Sequence, residues 1–211
     1  MSTAVTDIDQ FRYWKHAEDM SVADLIARLR RQTEPTSEML AGIAFHRAVE
    51  LATPEAEYGI LRARGHTFII ECNVVLPEMQ ARELPLSATY DVSGVEVDVR
   101  GRVDGITGLK VFDLKTMKRA CDHESIERLK DTMQWRFYLD MATANEFQWD
   151  CFSIEPIAPN DANDGNVYRV WAHNTHNQWC YPGMKADMMA ELREFVEFCR
   201  THLPERFEES A

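Results

Sequence analysis

The heptapeptide KVFDLKT, Lys110–Thr116, decides how this chain folds. Val111, Phe112 and Leu114 are the β-branched, aromatic and aliphatic types that favour a pleated, buried setting, so LKVFDLKTMK (109–118) reads as a strand. Alternation puts Val111, Asp113 and Lys115 on one face and Phe112 and Leu114 on the other. A buried carboxylate or ammonium is costly unless paired. Two readings of Asp113 and Lys115 follow: a structural ion pair, or a metal-binding carboxylate with an activating amine beside it. For an isolated D-x-K the ion pair is the commoner outcome, because so short a motif is weak.

Working outward, SATYDVSGVEVDVRGRVDGI (87–106) alternates with period two around Ser93-Gly94, a hairpin signal, and Thr107-Gly108 turns the chain into the central strand. HTFIIECNVVLP (66–77) is a further predicted strand. Downstream, ESIERLKDTMQWRFYLDMATAN (124–145) carries Ile126, Leu129, Met133, Phe137 and Met141 at spacings of three and four, which predicts one long helix. Strands at 147–156 and 166–173, joined by the turn-rich APNDANDG (158–165), precede an amphipathic helix at 185–203. Before the strands, 18–32 reads as a helix with Leu25, Ile26 and Leu29 on its stripe and Arg28, Arg30 and Arg31 near its C-terminal end. A second helix follows Pro35, capped by Thr36 or Ser37, with Met39, Leu40, Ile43 and Val49 as its apolar side and a stop near Thr53-Pro54. This order predicts a single α/β domain with a central mixed β-sheet flanked by helices.

Composition narrows the function classes. The chain has 211 residues, 45% of them hydrophobic, enough for a real core. Five cysteines at 72, 121, 151, 180 and 199 form no CxxC, and their number is odd, which points to reduced thiols in a cytoplasm and away from a disulfide framework or zinc ribbon. The N-terminus is polar and mixed in charge, without the apolar core of a signal peptide, and no apolar run approaches the roughly 20 residues of a membrane span. A net charge of −12 argues against nucleic acid as a partner, but its distribution softens the objection. From Glu146 to Asp164 there are five acidic and no basic residues, whereas from Asp98 to Lys130 eight Lys or Arg face six Asp or Glu.

That basic segment holds the chemistry. Asp104, in GRVDGI, ends the strand before the central one, and a tight hairpin would bring it to the same end of the sheet as Asp113. Two converging carboxylates repel, which is poor structure but a good Mg²⁺ site. His46 lies four residues after Gly42 on the second helix; a lone helical His is more often an ordinary surface or core residue. Gln134 and Tyr138 stand at i and i+4 on the long helix with Lys130 one turn earlier, a polar row that borders either a site or plain solvent.

G-x-x-x-H, GRVDGI, VFDLKT and Q-x-x-x-Y in that order resemble the RecB-type, phage-exonuclease-like branch of the PD-(D/E)XK nuclease superfamily. The resemblance covers roughly residues 38–140; each motif alone is weak, and the ordered set is fairly specific. It implies a restriction-endonuclease-like fold with an αβββαβ core: an N-terminal helical extension over 1–35, a nuclease core over 36–175 and a C-terminal helix over 180–205. It implies a metal set of His46, Asp104, Asp113 and Leu114, catalytic roles for Asp104, Asp113 and Lys115, and support of the site and DNA contact by Gln134 and Tyr138. Lys115 would position or deprotonate the attacking water; partial desolvation would lower its pKa, and the adjacent Asp and the metal pull that pKa in opposite directions, so its protonation state stays open. Glu71 is an additional acidic candidate, with Glu78 and Glu83 nearby. Arg100, Arg102, Lys118, Arg119 and Lys130 are the expected DNA contacts.

The implied activity is Mg²⁺- or Mn²⁺-dependent hydrolysis of DNA, as an exonuclease on double-stranded ends in recombination or repair, in the cytoplasm of a prokaryotic or phage-infected cell. The alternatives are a structure-specific or single-strand endonuclease of the same fold, or a DNA-binding or assembly module without catalysis. Relatives with an iron–sulfur cluster carry one Cys before the core and three clustered after it. Here no Cys precedes His46, and Cys180 and Cys199 stand far apart, so no cluster is expected. A strand-annealing or recombination protein, a homo-oligomer and DNA are the implied partners, and a membrane is not.

Overall fold

The computed structural model describes residues 1–52, 59–158 and 166–208. A short strand β1 (Ser2–Ala4) leads into helices α1 (Val5–His16), α2 (Val22–Leu29) and α3 (Ser37–Leu51). Strands β2 (Ile60–Ala63), β3 (His66–Ile70), β4 (Ala81–Val92), β5 (Val95–Thr107) and β6 (Lys110–Met117) follow. Helices α4 (His123–Asp131) and α5 (Gln134–Ala142) connect to β7 (Glu146–Pro156) and β8 (Val167–Trp179), and α6 (Met184–His202) and α7 (Glu205–Glu208) come last.

The strands form one mixed sheet in the order β1-β5-β6-β7-β8-β3-β2, with β4 paired along the other edge of β5. β4–β5 and β5–β6 are antiparallel, β6–β7 is parallel across the α4–α5 connection, and β7–β8 is antiparallel. The order α3, β4, β5, β6, α5, β7 is the expected α-β-β-β-α-β core, with the β2–β3 hairpin inserted after α3. Ser93 and Gly94 both have positive φ, which the two-residue β4–β5 turn requires. One sheet face carries Val97, Val99, Val103 and Val111 against α1, α2, α5 and α6. The other carries Leu114, Phe152 and Val170 against α3.

Several expectations are corrected. The N-terminal stretch, which shows no clear periodicity, forms β1 and α1, and β2 was not foreseen. The strand expected over 66–77 ends at Ile70, where a turn closes through the Val74 N–H on the Glu71 carbonyl. The strand expected over 166–173 continues to Trp179 alongside β7. Thr53-Pro54 and most of 158–165 lie outside the described residues. On α3, Ala41, Ala44, Phe45, Ala48 and Val49 are buried, while Met39, Leu40 and Ile43 are exposed. α3 is apolar around most of its circumference, so periodicity alone misassigns its face. The alanines let the backbone lie close to the sheet, and a Cβ on Gly42 would sit 2.9 Å from Thr116 Oγ1. Finally, 124–145 is two helices, broken at Thr132, whose extended backbone (φ −62°, ψ 154°) ends α4.

Candidate metal and catalytic site

The site forms where β5 and β6 part. Their antiparallel pairing stops at Gly105–Phe112. One step beyond, the Leu114 N–H meets the Asp104 carboxylate in place of a main-chain carbonyl, donating to Oδ2 at 2.6 Å. The other oxygen of Asp104 lies 3.3 Å from His46 Nδ1, presented by α3. On the opposite side of β6, Asp113 Oδ2 lies 2.7 Å from Lys115 Nζ. The ammonium also donates to Gln134 Oε1 at 3.0 Å, from the first residue of α5. Thus α3 and α5, on opposite faces of the sheet, each deliver a polar side chain to the split.

The electrostatics follow from burial and pairing. Burial alone would raise the Asp104 carboxyl; the His46 contact and charge, the Leu114 N–H and the Lys115 charge outweigh it and hold its pKa below the ordinary value. Burial would push the His46 imidazole down, but Asp104 raises it. Asp113 is 4% exposed, and burial, helped by the charge of Asp104, raises its carboxyl despite the attraction of Lys115. Burial favours the neutral form of Lys115, yet Asp113, Asp104 and Asp9 together raise its pKa.

Tyr138 is buried 3% exposed and lies flat over Gly101, where a Cβ would come within 2.4 Å of its Cε1. Burial pushes its hydroxyl up to about 12, against contacts with Gln134 and the Arg102 main chain. Leu114 can offer a cation only its main-chain oxygen; the contact it makes to the site is through its N–H. Glu71 is not brought to the split: it pairs with Arg169 of β8 at 3.3 Å. Lys130 is on α4, paired with Glu127 at 2.8 Å, and does not continue the Gln134–Tyr138 row because the helix breaks between them.

Most of the expected DNA contacts are ion-paired. Arg100 Nε donates to Asp98 at 2.6 Å, Arg102 lies 3.2 Å from Glu83, and Lys118 lies 2.8 Å from Glu38. Arg119 is exposed and has no ion pair among the described residues. A cleft of 490 Å³ beside the split is lined by His46, Arg47, Glu50, Arg64, Glu83, Arg102 and Asp104. Of these, sequence reasoning missed Arg47, Glu50 and Arg64, and it left Glu83 only as a neighbour of Glu71. Glu83 has φ 51° and drops out of the β4–β5 ladder opposite Asp104 without shifting its register, Arg82 pairing Gly105 and Leu84 pairing Val103. Asp9 was missed too, because it lies outside every motif.

The donor chemistry fits a hard divalent cation: two carboxylates and an imidazole, with Asp113 Oδ2 buried, beside Lys115 Nζ at 2.7 Å and without an aligned hydrogen bond. Among the described residues, no group of three or more His, Cys, Asp and Glu is already gathered as a metal would gather it. His46 and Asp104 face each other, so cation binding requires them to exchange that contact.

No family model matches the chain, and no curated protein matches it. Among solved structures it is similar to the crystal structure of SSO0001, at 16% identity and a TM-score of 0.49, covering 93% of this chain and 75% of that one. It is also similar to the crystal structure of LHK-Exo in complex with dAMP, at 11% identity and a TM-score of 0.40, covering 99% of this chain and 92% of that one. No helix among the described residues is long and apolar enough to cross a membrane.

Proposed function

We propose that this chain is a Mg²⁺- or Mn²⁺-dependent deoxyribonuclease of the RecB-like PD-(D/E)XK type, a single domain over residues 1–211 that acts as an exonuclease on double-stranded DNA ends. The observation that supports this reading is the split between β5 and β6, flanked by the Asp104–His46 pair on one side and the Asp113–Lys115 pair on the other, with the two carboxylates close enough for the charge of Asp104 to act on Asp113. A structural ion pair explains Asp113 and Lys115 alone. It does not explain a second carboxylate and an imidazole brought to the same place at the cost of like-charge repulsion.

Asp104, Asp113 and His46 would hold the ion, with the main chain of Leu114 beside them. A bound divalent metal supplies a water of lowered pKa and neutralises charge on phosphate oxygens. Lys115, paired with Asp113 and held by Gln134, is placed to position the attacking water or to take its proton. In the adjoining cleft Arg47 and Arg102 are paired with Glu50 and Glu83, and Arg64 is the further cation that could meet the DNA backbone. A recombination or strand-annealing partner and a ring-like homo-oligomer are compatible with this activity.

The test is incubation of end-labelled linear and closed circular duplex DNA with Mg²⁺, Mn²⁺ or EDTA. Degradation of the linear DNA alone, abolished by EDTA, is the expected result. Nicking of the circle would move the reading to an endonuclease, and intact DNA under every metal would reject it.

A further inference from the structure

We infer that Asp9, on the N-terminal helix α1, is a positioning residue of the cleavage reaction: it fixes the start of α5 so that Gln134 holds the Lys115 ammonium beside Asp113. The inference rests on the nuclease reading for the reaction, and on the structure alone for the positioning.

The apolar spacing of Ile126, Leu129, Met133, Phe137 and Met141 is that of one continuous helix. The break between α4 and α5 therefore needs a cause beyond that stripe: Trp135 and Arg136 take up the Lys130 and Thr132 carbonyls locally, and α1 acts from two further points. Arg12 Nε donates to the carbonyl of Asp131, the last residue of α4, at 2.7 Å, and Arg12 Nη2 reaches its carboxylate at 2.6 Å. Asp9 Oδ1 accepts from the main-chain N–H of Met133 at 2.6 Å and of Gln134 at 3.2 Å. A cation thus faces the C-terminal end of one helix, and a carboxyl oxygen accepts from the free N–H groups at the N-terminal end of the next. α5 has no side-chain cap of its own at Met133 and no acidic residue in its first turn, so Asp9 does that work from another element.

The consequence reaches the site in one step. Gln134, whose N–H Asp9 holds, is the residue whose Oε1 accepts from Lys115 Nζ. In an unbroken helix the main-chain N–H groups of Met133 and Gln134 would bond within the helix. Gln134 would then leave the position from which it reaches Lys115. A displacement of about 1 Å at such a contact costs on the order of a hundredfold in rate.

Asp9→Asn keeps an oxygen that accepts both N–H bonds, whereas Asp9→Ala keeps none. Cleavage of linear duplex DNA by the full chain is measured with Mn²⁺ well below the melting temperature of each variant. Asp9→Ala should lower kcat by about 10- to 100-fold with KM within about threefold, and Asp9→Asn should restore kcat to within about threefold of the parent. NMR gives a readout that does not need activity: exchange of the Met133 and Gln134 amides and the Lys115 ammonium shift should change in Asp9→Ala and return in Asp9→Asn. If the parent cuts no DNA, the nuclease reading fails and the NMR signals alone decide the positioning. A folded Asp9→Ala protein with parent kcat, an unchanged Lys115 signal, or an Asp9→Asn protein as impaired as Asp9→Ala would each overturn the inference.

Discussion

Replacing Lys115 with Met keeps the side chain's bulk and removes its charge. Asp113 is buried, and Lys115 Nζ at 2.7 Å is its close cation. At an effective dielectric of about 20 the gross attraction is about 6 kcal/mol, most of it offset by desolvation, and breaking a buried pair costs about 3–5 kcal/mol net. Asp113 has a second route: it can take up a proton. For a carboxyl of ordinary pKa this costs at most about 4 kcal/mol at pH 7, and less here because burial already raises its pKa. The Lys115 side chain is 29% exposed, so water also reaches the gap. The cheaper route wins, giving an expected loss of about 2–3 kcal/mol, or a fall in Tm of about 4–12 °C for a chain of this size. The double variant Asp113→Asn with Lys115→Met removes both charges and should return to within about 1 kcal/mol of the parent. Denaturant titration reads stability, and cleavage of linear duplex with Mn²⁺ reads function. A structural bridge requires activity to return with stability in the double variant. The catalytic assignment requires it to be lost in both variants while both are folded. A folded Lys115→Met protein that cuts DNA at the parent rate would refute the role given to the lysine.

Three further outcomes are expected. Burial pushes the Asp9 carboxyl up to about 7 from an ordinary 3.8, so it gains a proton on folding between those values. Stability is therefore greatest below about pH 4 for this group and falls as pH rises to about 7, by at most about 4 kcal/mol and nearer 1–2 because Asp9 still reaches solvent; Asp9→Asn should flatten that slope in urea titrations across this range, and an unchanged slope would contradict it. Gly101→Ala would drive a Cβ to 2.4 Å from a buried Tyr138 ring and should cost about 1–3 kcal/mol by overpacking; an unshifted denaturation midpoint would show that the ring can move. For DNA binding in Ca²⁺, Arg119→Ala should lower the slope of log affinity against log salt by about 1, whereas Lys130→Ala, paired with Glu127 away from the site, should leave it unchanged, and equal effects would argue against this placement of the DNA.

The sequence by itself carried the central strands, because alternation in 87–106 and 109–118 is a local signal and the Ser93-Gly94 turn is chemically specific. Through the family resemblance that its ordered motifs carry, it also singled out His46, Asp104, Asp113, Lys115 and Gln134 as candidates for one site. It could not choose between a neutral and a charged Lys115, because that depends on how many carboxylates lie around the amine, and Asp9 comes from about a hundred residues away. The break at Thr132 was hidden for a related reason: local periodicity favours one helix, and the interrupted form satisfies its main-chain groups through Asp9 and Arg12 from α1 together with Trp135 and Arg136. The face of α3 was misread because apolar residues surround it, and small alanines, which carry little hydrophobic signal, are what the sheet admits at close range. Strand pairing and turn type are written locally, whereas charge state, helix breaks and the choice among apolar faces are set by whatever the rest of the chain places alongside.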